Sequence, residues 1–282
     1  MSRGLSTTAD VLVCLVLVSA AATTLALPTG SVPQPDADAA ATLVERTTAD
    51  IDYRLVVPDT DRFPSEIGFH RHTSGRLAAL LANSAVRNTR IDGRQLTAAS
   101  NEYEQRVAAA VANATGPRTQ VTARWQPFPG ANITGRAVAG SAPPADVTVA
   151  SQTRTVAPAE AAETRRQAKQ AAEDFGYVGV AAVAATHTTE RLWPTTGMRN
   201  ALAADYPTDR LAALRYEAAG RHFDIPVADA LETRNVTALN SRLQRALQRR
   251  YETRLRATFD SPQEAARAIR PAVRIVVRRW SA

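Results

Sequence analysis

The hydropathy of the chain opens with one unbroken apolar stretch and then becomes periodic. Val11–Leu27 runs for seventeen residues without a charge; as a helix it would be about 26 Å long, close to a hydrocarbon core about 30 Å thick. Beyond it, apolar positions recur every second residue in three places. Ile51, Tyr53, Leu55 and Val57 alternate with Asp52, Arg54 and Val56 up to Pro58. Val121, Ala123 and Trp125 alternate with Gln120, Thr122 and Arg124 up to a turn at Pro127–Gly130. A further strand is expected at Val147–Val156, and Val273, Ile275 and Val277 alternate with Arg274, Val276 and Arg278. That period predicts half-buried strands. Residues 132–144, rich in Gly, Ala and Pro, read as an exposed excursion or a weak edge strand.

Elsewhere the period is helical. Ser74 suits the N-cap of a short helix carrying Leu77, Leu80, Leu81 and Ser84 on one side, followed by a strand or turn at Arg90–Gly93. Asn101 with Glu104 resembles a capping box, Tyr103, Val107 and Val111 repeat every four residues, and Gly116-Pro117 stops the run. Glu160–Asp174 consists of strong helix formers, and Gly176 with Gly179 separates it from a second, apolar helix through Ala185. Helices then dominate, over 200–204, 208–220 and 236–258. In the last of these, Leu239, Leu243, Leu247, Tyr251 and Leu255 form an apolar face. At about 100° per residue, Arg242, Arg245, Arg249 and Arg256 fall within a sector of about 60° on the other side. Ser261-Pro262 opens a final short helix. The order of elements predicts an α+β fold in which an N-terminal transmembrane helix precedes a domain with a mostly antiparallel sheet covered by helices. The terminal strand is expected to return to that sheet.

Composition changes this picture in two respects. Apolar residues make up 45% of the chain but aromatic ones only 5%, so the core must be packed with Ala, Val and Leu. The single cysteine, Cys14, lies inside the apolar stretch, which excludes an intrachain disulfide framework or a cysteine metal site beyond it. The net charge of +7 is local. Residues 234–282 hold twelve arginines against Glu252, Asp260 and Glu264, and Lys169 is the only lysine in the chain. With no nucleic-acid reading motif in sight, nucleic acid is not an expected partner. The ridge of Arg242, Arg245, Arg249 and Arg256 is a candidate surface for an anionic partner, against the plainer reading of a solvated helix face.

The apolar stretch fits three fates. As a retained anchor, preceded by Arg3 and followed by Asp36 and Asp38, it places residues 1–10 inside, 11–27 in the membrane, 28–42 as a Pro- and Gly-containing linker and 43–282 outside. As a secretory signal it has an h-region at Val11–Val18 and small residues from Ser19 to Ala26 for cleavage. As a pilin-like leader it would be cut after Gly4, leaving Leu5 first; the acidic residue that bacterial pilins carry five positions after the cut falls at Ala9, one place before Asp10. Each fate exports the same domain.

Candidate chemistry in that domain is sparse. Three sequons, at Asn113, Asn132 and Asn235, are open to N-glycosylation if exported, and Asn235 also suits a helix cap. His70 and His72 on one face of a strand, after Asp59 and Asp61, are the nearest approach to a metal cluster, and His187 with Glu190 lacks the further histidine of known zinc motifs. No nucleophile elbow, phosphate loop, dinucleotide fingerprint or C-x-x-C occurs. Neither a cofactor nor a catalytic residue is expected.

Several segments taken together, namely Arg3–Ser6 (RGLS) before a single apolar span, Asp50–Leu55 (DIDYRL), Ala123–Ala131 (ARWQPFPGA), Gly176–Val180 (GYVGV), Asp205-Tyr206-Pro207 and Val273–Trp280 (VRIVVRRW), resemble an uncharacterised family of single-span membrane proteins of halophilic archaea. The resemblance covers essentially the whole chain. It implies association with pilin-like and secretion components and carries over no functional residues. The resulting expectation is a single-pass protein of the cell membrane, N-terminus inside, whose outer domain is a structural or accessory part of a surface or secretion assembly with protein partners. The alternatives are a secreted binding domain freed by signal cleavage and a surface metal-dependent hydrolase using His70 and His72.

Overall fold

The chain enters its domain through a helix where composition suggested linker. The computed structural model describes residues 35–57, 69–97, 99 and 101–281. Asp36 caps α1 (Ala37–Arg46) by accepting from the Ala39 amide at 2.9 Å. The alanines that read as spacer bury Ala37, Ala40 and Ala41, so residues 37–42 belong to the domain and not to the 28–42 linker.

β1 (Thr48–Leu55) and β2 (Phe69–Arg76) pair antiparallel as a two-stranded sheet. Ser74 lies on β2 opposite Asp50, and α2 (Leu77–Arg87) starts only after Arg76, so Ser74 does not cap it. A two-residue turn at Asp92-Gly93, both with positive φ (49° and 79°), joins β3 (Thr89–Ile91) to β4 (Arg94–Gln95), as a tight hairpin requires. After α3 (Asn101–Thr115), whose Tyr103, Val107 and Val111 are buried as their spacing foretold, come β5 (Thr119–Trp125), β6 (Ile133–Ala139) and β7 (Val149–Val156), with β8 (Val273–Trp280) at the end of the chain.

The larger sheet has the order β4-β3-β6-β5-β8-β7, with every pair antiparallel. The closing strand β8 does return to the sheet, and it does so between β5 and β7. β6, in the stretch that read as an irregular excursion, is an interior strand. Its glycine explains both its weak signature and its position: a Cβ on Gly135 would stand 2.3 Å from the Ala85 carbonyl oxygen, so only glycine lets α2 approach this closely. Val121, Ala123, Trp125, Ile133, Ala139, Ile275 and Val277 make the buried face, on which α1, α2 and α3 pack.

The remaining helices form a block beside the sheet: α4 (Ala161–Leu192), α5 (Thr195–Ala203), α6 (Thr208–Phe223), α7 (Ala228–Glu232), α8 (Val236–Thr258) and α9 (Pro262–Arg267). α4 breaks at Gly176, where φ is 60° and ψ −142°, and its second half continues to Leu192. The stripe Leu239, Leu243, Leu247, Tyr251 and Leu255 of α8 is wholly buried, largely against α4, and Ser261 caps α9 with Pro262 in its first turn. The block joins the sheet at the turn after β5. There Phe128 meets Tyr251 edge to face at 5.0 Å, and the Arg270 amide donates to the Pro127 carbonyl at 2.7 Å. One apolar core runs through both parts.

The fold is α+β, with antiparallel sheets and covering helices. Among the described residues no helix is long and apolar enough to cross a membrane; Val11–Leu27, with Gly4 and Leu5, lies outside them. Replacing Gly135 with alanine should lower the unfolding free energy by about 1–3 kcal/mol, read as a lower urea midpoint with unchanged slope. An unaltered midpoint would mean that α2 does not bear on β6.

Candidate functional site

The arginine ridge predicted on α8 is half neutralised. Arg242 donates to both carboxylate oxygens of Asp229 at 2.7 and 2.9 Å and to the Pro226 carbonyl at 2.8 Å. These bonds hold the Asp229 carboxyl down at about 2. Arg256 pairs with Glu252 at 2.9 Å and stacks 5.1 Å over Tyr177. Arg245 and Arg249 remain exposed, with no ion pair among the described residues.

The histidines are brought to separate places. His72 lies between two carboxylates, 2.9 Å from Asp52 and 3.8 Å from Asp50, while His70 stands opposite Arg54; Asp59 and Asp61 lie outside the described residues. Among the described residues no group of three His, Cys, Asp or Glu side chains could hold a metal. His187 is buried, its Nε2 without a hydrogen-bond partner among the described residues, and Glu190 accepts from the Thr195 amide and hydroxyl at the start of α5. Of the sequons, Asn235 caps α8 through the Ala238 amide, and Asn132 donates to Asp92 at 3.0 Å. Asn113 is exposed on α3 and, among the described residues, shows no competing side-chain bond.

A different group of cations converges without having been predicted. Between the β1–β2 hairpin with α2 on one side and α4, α5 and α6 on the other, a cleft of about 570 Å³ is lined by Arg71, Arg87, Arg191 and Arg215. Each comes from a separate element. Arg71 of β2 donates to the Thr208 hydroxyl at 3.3 Å. Arg87, at the end of α2, lies 4.8 Å over the Tyr103 ring. Arg215 of α6 donates its Nε to the Leu192 carbonyl at 3.0 Å and lies 5.7 Å over Trp193. Aromatic faces and carbonyls thus orient the guanidinium groups while consuming few of their five N–H donors.

Among the described residues no Asp or Glu lines the cleft, and none of the four arginines has a carboxylate within salt-bridge distance. Burial, reinforced by Arg87, draws the Arg215 pKa down to about 10. Burial also lowers that of Arg191, partly offset by Glu160. Both keep their charge at neutral pH. Part-buried cations with no carboxylate in salt-bridge distance among the described residues are costly, and the arrangement is ready to donate charge-assisted bonds to an anion. Leu55, Val86, Leu192, Met198 and Leu211 give the same cleft an apolar wall. The lining offers hydrogen-bond donors and apolar surface together.

The sequence family described as "Family of unknown function (DUF7284)" matches residues 9–280. The chain belongs to that family. No curated protein and no solved structure matches it. The match spans both the apolar stretch and the domain that follows it.

His187 supplies a pH test of the packing behind this site. Burial keeps its pKa below the usual 6.5, so as pH falls through that value the unfolded chain takes up a proton that the native state refuses, and stability declines. His222, lowered for the same reason, acts in the same direction. The unfolding free energy should therefore fall between about pH 7 and pH 5, and His187→Gln should flatten the slope; an unchanged slope would place His187 in contact with water.

Proposed function

We propose that this protein is a membrane-anchored extracytoplasmic accessory component of a surface or secretion assembly, of the type IV pilus-like kind, and that it works by binding and not by catalysis. The observation that carries the reading is the cleft, where four arginines from four elements meet an apolar wall without a lining carboxylate among the described residues. Such a lining suits an anionic group presented by a partner. The anchor rests on Val11–Leu27, uncharged and preceded by Arg3. The small residues of Ser19–Ala26 support a second reading, in which the same binding domain is released by signal cleavage.

Two measurements on the native membrane fraction test the proposal. The chain should stay with the membranes through an alkaline carbonate wash, whereas release would favour the secreted domain. Arg71→Gln with Arg87→Gln, both exposed at the rim, should reduce recovery of the co-purifying partner by about tenfold or more, since a hydrogen bond to a charged group contributes about 1.5–3 kcal/mol. The same loss of charge at Arg245 and Arg249 should leave recovery unchanged. Equal recovery with both pairs of variants would contradict a binding role for the cleft.

A further inference from the structure

The larger sheet has a second face, and its register gathers arginines there. Arg136 of β6, Arg124 of β5 and Arg274 of β8 are direct cross-strand neighbours, followed by Thr155 of β7. A parallel row places Gln120, Arg278 and Ser151 side by side, and Thr122, Val276 and Thr153 lie between the two rows. Arg124, Arg136, Arg274 and Arg278 are all exposed. No Asp or Glu occupies any of these positions, and none of the four arginines has an ion pair among the described residues. Like charges placed directly opposite across strands destabilise a sheet. Here the repulsion is repeated across three adjacent strands, so the exposed arginines of this face match an extended array of negative charge.

The connection to the apolar stretch indicates which array. Asp38, in the first turn of α1, accepts from Gln152 at 2.7 Å and Arg154 at 2.5 Å, both on β7, the edge strand of this sheet. Gln152 and Arg154 alternate along β7 with Ser151, Thr153 and Thr155, so the chain reaches the domain at the β7 edge on the helix-covered face, and the segment before α1 must round that edge to bring the arginine face to a membrane. Only residues 28–35 separate Leu27 from the cap of α1, a reach of at most about 28 Å. We propose that this arginine-bearing face lies on the anionic lipid headgroups of the membrane that holds the chain's own N-terminal segment. The proposal rests on the anchored reading. A short tether keeps the face at high effective concentration near the headgroups, where each arginine gains from the negative surface potential.

The test uses the full chain reconstituted into vesicles of phosphatidylcholine, with or without phosphatidylglycerol, and footprints arginines with phenylglyoxal. Labelling of Arg124, Arg274 and Arg278 should fall by about fivefold or more when phosphatidylglycerol is present and recover at about 0.5 M sodium chloride, where the screening length is only a few ångströms. Arg245 and Arg249, away from that face, should label equally in both vesicles. Arg124→Gln with Arg274→Gln should restore labelling of Arg278 in the anionic vesicles. Equal labelling of the sheet arginines in both vesicle types would overturn the proposal. Protection in native membranes but not in phosphatidylglycerol vesicles would also overturn it, in favour of an acidic protein. A carbonate wash reads the anchor separately: release of a chain that still shows protection overturns the anchor and not the lipid-facing sheet, while retention without protection overturns the sheet's role alone.

Discussion

The pairing of β8 with β5 is the interaction on which the remaining architecture rests. Val277 stands opposite Val121 and Ile275 opposite Ala123, all of them buried, although nearly a hundred and fifty residues separate the two strands in sequence. Burying a valine or isoleucine contributes about 1.5–3 kcal/mol, and β8 brings several at once. It also holds β7 in the sheet and, through β7, the first turn of α1. Hydrogen bonds from the Trp280 amide to the Arg118 carbonyl and from the Ser281 amide to the Thr148 carbonyl fasten its far end. Pairings this distant in sequence are intrinsically slow to form.

The same strand has two consequences of opposite sign. Its inner residues consolidate the core, while Arg274 and Arg278 add like charge to a face that already carries Arg124 and Arg136. The cleft repeats the conflict at a second place, since the framework that fixes Arg71, Arg87, Arg191 and Arg215 supplies them with no lining carboxylate among the described residues. Elsewhere the chain shows that it can neutralise arginine well, as in the bidentate pair of Arg242 with Asp229 and the contacts of Arg154 with Asp38 and Glu45. Local rules of charge pairing are thus obeyed where they serve the fold and broken in two clusters, the places where function is expected to sit.

Legibility in the sequence divides along the same line. The boundaries of α8 and its buried stripe, the cap at Ser261 and the alternation of β5 and β8 depend on nearest-neighbour patterns and were legible. β6 was not, because Gly135 and its alanines fit a close approach by α2 that only the tertiary structure reveals. Nor was α1, whose alanines bury small surfaces while resembling a spacer. The cleft had no local signature at all: its arginines lie at positions 71, 87, 191 and 215, and the nearest sequence hint is Arg215 a turn beyond Leu211 and Ala212 on an inward-facing side of α6. The ridge on α8 was visible because it is periodic, yet its partners Asp229 and Glu252 take up half of it.

Both arginine clusters thus carry charge that, among the described residues, no carboxylate pairs in a salt bridge. Urea unfolding of the full chain as a function of sodium chloride, compared with the variant Arg87→Gln, Arg124→Gln and Arg274→Gln, puts this to the test. Between about 0.05 and 0.5 M salt the screening length falls from well over 10 Å to a few ångströms, so repulsion within the clusters should fade and the wild-type midpoint should rise relative to that of the variant. A wild-type midpoint that falls with salt in step with the variant would show that these arginines are already paired, and the charge conflict inferred for both clusters would not exist.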